Sequence, residues 1–148
     1  MTSHRLDILN KDLFPSFYDL PYDNSYDVSF YKEDGYGVLN PRRHWCFLTE
    51  VTQCVPWIRP TYHAKDAEGT EILIAFHTED RSPHILAQCD VGDTLAIMYA
   101  NSHGFADGQL GIRVESDDMV KILHCDLKGV RELAQTMSSE SESSIAPK

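Results

Sequence analysis

The stretch 91–115 constrains the fold of this chain more than any other part of its sequence. Residues 94–100 place apolar side chains at both odd and even positions, which is typical of a β-strand covered on both faces. Residues 110–115 alternate apolar with polar or small side chains and predict a half-buried strand, in which Gly111 indicates a bulge or a close backbone approach. Because the polar segment 101–107 lies between them, the stretch predicts a β-hairpin with a long loop.

Short alternating runs recur along the chain, so we expect an all-β fold with few helices. An amphipathic patch within 78–90 predicts one short helix, and Asp126 can cap a second helix that runs to about Met137. The tail 138–148 is rich in serine and glutamate and is predicted to be disordered. The remaining strands are expected at about 44–52, 58–65, 70–77 and 119–125.

The hairpin, with its GDTL start and its DGQLGIR end, resembles strands 4 and 5 of an oligonucleotide/oligosaccharide-binding (OB) barrel. Together with Arg43–Glu50 and Val120–Cys125, it is similar to the N-terminal domain of fungal proteins in which that domain precedes a MYND zinc finger. The similarity covers roughly residues 41–135. It implies a small five-stranded Greek-key barrel with an N-terminal extension and a C-terminal helix, and it implies no particular activity. The closely paired ligands of the finger itself are absent from this sequence.

The charge of the chain bears on its partners. Its 148 residues include 13 Lys and Arg against 23 Asp and Glu, which gives a net charge of −10. Because an acidic surface repels phosphate groups, binding of single-stranded nucleic acid through counterion release is disfavoured. We therefore expect the partner to be a protein segment or a small apolar molecule, with nucleic acid ranked third.

The cysteines indicate a reducing compartment. All four are spread without a C-x-x-C pair, as is usual for reduced structural cysteines, so we expect residence in the cytoplasm or nucleus. No run has the apolar length of a membrane span and the first residues lack a signal-peptide pattern, so we expect no membrane association. The sequence indicates neither a metal site nor a cofactor, and it does not determine the oligomeric state.

Residues 1–40 are acidic and unusually aromatic for a terminal segment. Disordered arms are poor in aromatic residues, so we expect this extension to be ordered and packed on a barrel formed by residues 41–137. Packing of this kind can cover an edge strand. A lid or a partner-binding segment is the alternative. The aromatic residues of the extension are Phe14, Phe17, Tyr18, Tyr22, Tyr26, Phe30, Tyr31 and Tyr36.

The resemblance to OB barrels also implies where a ligand binds. In that fold the ligand face is made by the second and third strands and by the loops beside them. Aromatic rings next to arginine and asparagine side chains suit a flat ligand or a peptide. Tyr62 has an alternative place in the core, as do Phe76 and Tyr99, because aromatic side chains are mostly buried. The predicted ligand-binding residues are Trp57, Arg59, Tyr62, His63, Asn101, His103 and Phe105.

His103, Asp107 and His77 are candidates for acid–base catalysis. His103 shares the loop with Asp107, and His77 precedes two acidic residues. A histidine–carboxylate pair can move protons near neutral pH, while a structural role is the alternative for each residue. Phe105 is expected to anchor the loop by burying its ring, which leaves His103 exposed beside Asp107. No nucleotide-binding, protease or hydrolase motif accompanies these residues.

Two functions from different classes follow. The first is a non-catalytic binding or adaptor module that recognises a protein segment or small ligand on the barrel face. The second is a small cofactor-independent enzyme, an isomerase or cyclase of fungal specialised metabolism, in which histidine and aspartate act on an apolar substrate. The sequence does not determine whether the chain is an enzyme, and it does not identify the ligand.

Overall fold

The computed structural model describes residues 10–23, 26–56, 60–77 and 89–145, which are mainly β-sheet with one α-helix. The predicted mainly-β class with a C-terminal helix is confirmed. No helix in these residues is both long and apolar enough to cross a membrane. The strands are β1 Tyr31–Glu33, β2 Leu39–Pro41, β3 Cys46–Pro56, β4 Pro60–Lys65, β5 Glu71–Phe76, β6 Thr94–Met98, β7 His103–Gly104, β8 Leu110–Val114 and β9 Val120–Leu123; α1 is Leu127–Ile145, and 3-10 turns span Phe17–Asp19 and Asp117–Met119.

Seven of the described strands form one sheet, in the order β7-β8-β5-β4-β3-β6-β9, while β1 and β2 form a separate antiparallel pair. Within the large sheet all neighbours are antiparallel except β5 and β8, which run parallel. The sheet therefore has more strands than the predicted five. The difference arises because β7 forms inside the predicted loop, and because β8 and β9, which the sequence already predicts as two strands at 110–115 and 119–125, stay separate on either side of the turn Asp117–Met119.

The predicted hairpin within 91–115 does not form. β6 pairs with β3 and β9, whereas β8 pairs with β5 and β7, so β6 and β8 share no ladder. The first strand ends at Met98 because Tyr99 has a φ of 55°, a left-handed conformation that a bulky residue rarely adopts and that turns the chain out of the sheet. Gly111 lies where β8 passes very close to the backbone of Leu73 on β5, so the predicted close approach is confirmed.

β3 connects the two halves of the sheet. Its first part pairs with β6 and its second part with β4, and the pairing with β4 is irregular between Val51 and Gln53. The extra residue of this bulge shifts the alternation of side chains. Val51 and Cys54 therefore both contact the core, while Thr52 and Gln53 are exposed. The bulge lets one strand follow the curvature of the sheet without losing its apolar face.

The described part of the N-terminal extension shares its core with the sheet. The ring of Phe17 is 2% exposed and packs edge-on against Phe47, with 6.2 Å between the ring centroids. Phe30 packs against Trp45 in the same way, at 4.8 Å. Burying an aromatic ring of this kind contributes about 2 kcal/mol. The extension is therefore held by the same hydrophobic contacts that hold the strands.

Asp66 adds a polar link between the extension and the sheet. Its side chain is buried in the turn between β4 and β5, where Oδ1 accepts the backbone N–H groups of Glu68 and Thr70. Its other oxygen, Oδ2, accepts the backbone N–H of Phe17 at 2.8 Å. A buried carboxylate is tolerated when its oxygens are hydrogen-bonded in this way. Asp66 thus stabilises the turn and the extension together.

α1 starts where the sequence predicts and extends further. Asp126 Oδ1 accepts the backbone N–H of Gly129 at 2.8 Å, which confirms the predicted cap. The helix continues to Ile145, past the end expected near Met137, and so includes residues 138–145 of the segment predicted to be disordered. The reason is that neither glycine nor proline follows Met137 until Pro147, so no residue there breaks the helix. Residues 146–148 of the segment predicted to be disordered lie outside the described residues. The helix predicted within 78–90 falls almost wholly outside the described residues.

We expect Gly111→Ala to destabilise the protein strongly. A Cβ atom at this position would overlap the backbone carbonyl of Leu73, and a backbone group of a central strand cannot rotate away as a side chain can. The free energy of unfolding in urea should fall by ~3 kcal/mol, at the upper end of overpacking costs. Gly35→Ala is the control, because an added Cβ there meets no atom within 4 Å. Equal stability of the two variants would contradict the close approach.

We expect Phe17→Ala to lower the free energy of unfolding by about 3–5 kcal/mol, as is usual for a buried phenylalanine. Tyr18→Ala provides a matched control on the neighbouring residue, since the Tyr18 side chain is 73% exposed. Thermal or urea denaturation followed by circular dichroism measures both. If the two variants lose the same stability, the extension is not part of the core.

Candidate binding groove at the open edge of the sheet

A groove of about 630 Å³ lies between the end of β6 and the strand β8. We call it the seam groove, because it occupies the place where a hairpin between these strands would have closed the sheet. Its walls are β6, β8, the turn that precedes β9, and one residue of the N-terminal extension. It is lined by Asp23, Ile97, Met98, Tyr99, Ala100, Asn101, His103, Ile112, Arg113, Val114, Glu115, Ser116 and Met119.

The groove exists because Tyr99 turns the chain away from β8. Its left-handed backbone carries a conformational cost of about 1–3 kcal/mol, which surrounding contacts must offset. Trp45 supplies them: its carbonyl accepts the Tyr99 N–H at 3.0 Å, its indole N–H donates to the carbonyl of Ala100 at 2.9 Å, and the two rings pack edge to face at 5.2 Å. The Tyr99 hydroxyl also contacts Nδ1 of His44. Tyr99 therefore belongs to the wall of the groove rather than to the interior of the core.

His103 lies on the rim of the groove, where it contacts the extension. Its Nδ1 is 2.5 Å from Oδ2 of Asp23, and the pair is partly exposed, with side-chain exposures of 19% for His103 and 26% for Asp23. The expected partner, Asp107, does not contact His103. Asp107 instead accepts the backbone and side-chain N–H groups of Gln109, and the backbone hydrogen bond lowers its pKa. The predicted pair within the loop is thus replaced by a pair between the loop and the extension.

Phe105 and His103 pack against each other. Their ring centroids are 4.6 Å apart with the planes nearly perpendicular, and both residues are half-buried. The expected division between a buried Phe105 and an exposed His103 is therefore wrong. The physical reason is that the extension covers the histidine from the other side, through Asp23.

Asn101 makes a second contact between the loop and the extension. Its Oδ1 accepts the hydroxyl hydrogen of Tyr31 at 2.9 Å, and burial raises the pKa of Tyr31. Backbone hydrogen bonds from Asp23 to Ser102 and from Ser102 to Pro21 add a third. The sequence analysis missed Asp23 and Tyr31 as site residues, because Asp23 is 80 positions from its partner. The acidic and aromatic composition of the extension was the available signal.

The other predicted ligand residues lie elsewhere. Tyr62 is fully buried and packs on Phe76 at 5.8 Å, so it has the core position that was its alternative role. Its hydroxyl has no hydrogen-bond partner among the residues that the structure describes, and burial raises its pKa. His63 lines a second groove of about 410 Å³, formed by residues of β3, β4 and β5 and by the start of β8. Trp57 and Arg59 fall outside the described residues. His77 donates its backbone N–H to Val114 and stands apart from the seam groove.

Carboxylates outnumber guanidinium groups in the lining of the seam groove by two to one. Among its described lining residues the carboxylates belong to Asp23 and Glu115, and the guanidinium of Arg113 lies 3.2 Å from Glu115. Asp118, on the turn that borders the groove, is exposed. No three His, Cys, Asp or Glu side chains in the described ranges are placed to share a metal ion. This arrangement suits a cationic partner better than an anionic one.

Comparisons with known proteins give distant structural likenesses. No protein-family model and no curated protein matches the sequence. The chain is similar to one in the crystal structure of the S. pombe Stn1-Ten1 complex, with a TM-score of 0.46 and 9% identity over 88% of this chain and 94% of that chain. It is similar to fission yeast Pot1 in a structure with ssDNA, with a TM-score of 0.44 and 9% identity over 72% of this chain and 45% of that chain. It is also similar to S. pombe Pot1pC bound to ssDNA, with a TM-score of 0.45 and 8% identity over 72% of this chain and 99% of that chain.

We expect Asp23 and His103 to be energetically coupled. A double-mutant cycle of Asp23→Asn and His103→Gln in urea denaturation should give a coupling of about 0.5–1 kcal/mol, because the pair is partly exposed. The matched cycle pairs Asp107→Asn with His103→Gln and should be additive, since these side chains do not touch. Coupling of His103 to Asp107 instead would contradict the contact with the extension.

Proposed function

We propose that this chain is a non-catalytic binding module that holds a positively charged protein segment in the seam groove. The observation that carries the proposal is the combination of an acidic rim, formed by Asp23 and Glu115, with a strand whose second edge is only partly paired. A groove of this kind offers both charge and main-chain hydrogen-bonding groups to an extended peptide. The partner is thus a protein segment rather than a small apolar molecule.

For the fold, we propose an OB-type barrel of five strands, in which the fifth is broken. β3, β4, β5 and β6 correspond to the first four, and β8 and β9 are the two halves of the last. The parallel pairing of β5 with β8 and the antiparallel pairing of β3 with β6 support this count. The sheet order also supports this count, because β8 and β9 lie near opposite ends of the sheet and yet are joined directly by residues 115–119. The similarity to domains that precede MYND fingers stays a prediction.

Charge favours a cationic peptide over single-stranded nucleic acid. Nucleic-acid grooves carry Lys and Arg that neutralise phosphates, together with exposed aromatic rings on which bases stack. In the seam groove the described lining residues carry one arginine, Arg113, against the two carboxylates of Asp23 and Glu115. The net charge of −10 adds long-range repulsion for a polyanion and attraction for a polycation.

The contacts also favour binding over catalysis. The isomerase or cyclase alternative needs a histidine and a carboxylate that converge on a substrate. His103 pairs with Asp23 rather than with Asp107, and Asp107 is hydrogen-bonded within its own turn, so the acid–base pair predicted from the sequence does not form. The contact of His103 with Asp23 holds the extension, and the hydrogen bonds of Asp107 stabilise its turn.

A short fluorescein-labelled peptide of alternating lysine and valine tests the proposal by fluorescence anisotropy. We expect it to bind, with Glu115→Lys weakening the affinity about 5- to 10-fold through loss of one attraction and gain of one repulsion. Glu71→Lys is the matched control, because it changes the net charge equally but lies in the other groove. It should change the affinity less than about 2-fold at physiological salt.

Three outcomes would contradict the proposal. The first is the absence of binding by the lysine–valine peptide. The second is an equal loss for both charge reversals, which would show that only the net charge attracts the peptide. The third is tighter binding of a short oligothymidine or of an alternating glutamate–valine peptide than of the cationic one, which would assign the groove to another class of ligand.

A further inference from the structure

We infer that the segment held in the seam groove binds as an added β-strand on the open edge of β8, with the main chain of Arg113 as its central hydrogen-bonding partner. This inference rests on the proposed function and specifies how the partner is recognised. It requires that one edge of β8 be free, that its backbone groups point into the groove, and that the side chains on both sides suit the same peptide.

The first requirement concerns the two edges of β8. On one edge, β5 pairs in parallel with every residue from Gly111 to Val114. On the other edge, β7 pairs only with Leu110 and Gly111. Beyond Gly111, no strand among the described residues continues that ladder. Among the described residues, the part of β8 that borders the seam groove therefore has a strand partner on one side only.

The second requirement concerns direction. The carbonyl of Val114 accepts the N–H of His77 at 2.7 Å, so the backbone groups of Val114 point toward the β5 side. Because these groups alternate along a strand, the N–H and C=O of Arg113 point to the opposite side, into the groove. Within the described residues no backbone hydrogen bond to Arg113 is found on that side. The N–H donor and C=O acceptor of Arg113 are thus available to a ligand in the groove.

The third requirement concerns side chains. Ile112 and Val114 are buried beneath β8, whereas Arg113 and Glu115 are exposed above it. An added strand places alternate side chains beside these two sets. Apolar side chains would extend the buried row, and cationic side chains would lie beside Glu115 and the rim residue Asp23. The groove therefore selects a segment that alternates apolar and basic residues.

Charge argues against a second copy of this chain as the occupant. Two copies would bring together the same acidic rim, Asp23 and Glu115, on chains that each carry a net charge of −10. Like charges face to face oppose such pairing, and charged residues on an edge strand commonly protect it from self-association. A cationic segment of another protein removes this repulsion.

Two methylated forms of the lysine–valine peptide test the inference. One carries N-methyl groups on the lysines and the other on the valines, so the two have the same composition and the same number of blocked donors. In an antiparallel strand, the residues opposite Arg113 share its exposed side and point their N–H groups toward β8, so these are the lysines. We expect lysine methylation to weaken binding about 10-fold or more, and valine methylation to weaken it less than about 3-fold.

The outcomes separate the inference from the proposed function. A loss confined to the valine-methylated peptide would support a parallel strand, which also uses the open edge. Equal losses, or no loss, for peptides that still depend on Glu115 would overturn strand addition while leaving the groove as the binding site. Concentration-dependent dimerisation in sedimentation, abolished by Glu115→Lys or by the peptide, would overturn the choice of occupant.

Discussion

The contacts of Trp45 determine the shape of the region around the groove. Its side chain is 1% exposed, donates a hydrogen bond to the carbonyl of Ala100, and packs edge to face against Phe30, Tyr31 and Tyr99. These contacts hold Tyr99 in a left-handed conformation, which ends β6 and separates it from β8. The same ring packs against two aromatic residues of the extension. One buried side chain therefore both opens the sheet and positions the segment that borders the opening.

The extension has a structural and an electrostatic role at once. Phe17 and the link to Asp66 attach it to the sheet, so the segment that follows is held at a defined place on the loop 101–103. There it brings the carboxylate of Asp23 to the rim of the groove. Because the acidic group comes from a segment that is part of the core, the charge of the groove is coupled to the stability of the fold.

An incompletely paired strand can pair with another chain and cause aggregation, unless it is covered or carries charged side chains. The exposed positions next to the open edge are Arg113 in β8 and Glu115 directly after it, and these two side chains pair with each other. Their charges disfavour association of identical acidic chains and leave the backbone groups available to a partner that matches them. Under the proposed function, the same two features, an open edge and an acidic rim, would both disfavour self-association and select a cationic segment.

The sequence alone determined the mainly-β class, the close approach at Gly111 and the cap at Asp126, because alternation, glycine and capping residues act over a few neighbouring positions. It also directed attention to Asn101 and His103, although it named the wrong partner for His103. Only the tertiary structure decided that β6 and β8 do not pair, that Tyr99 is left-handed and that Asp23 faces His103. These features depend on contacts between residues far apart in sequence, 55 positions for Trp45 with Ala100 and 80 for Asp23 with His103, and no local pattern encodes such contacts.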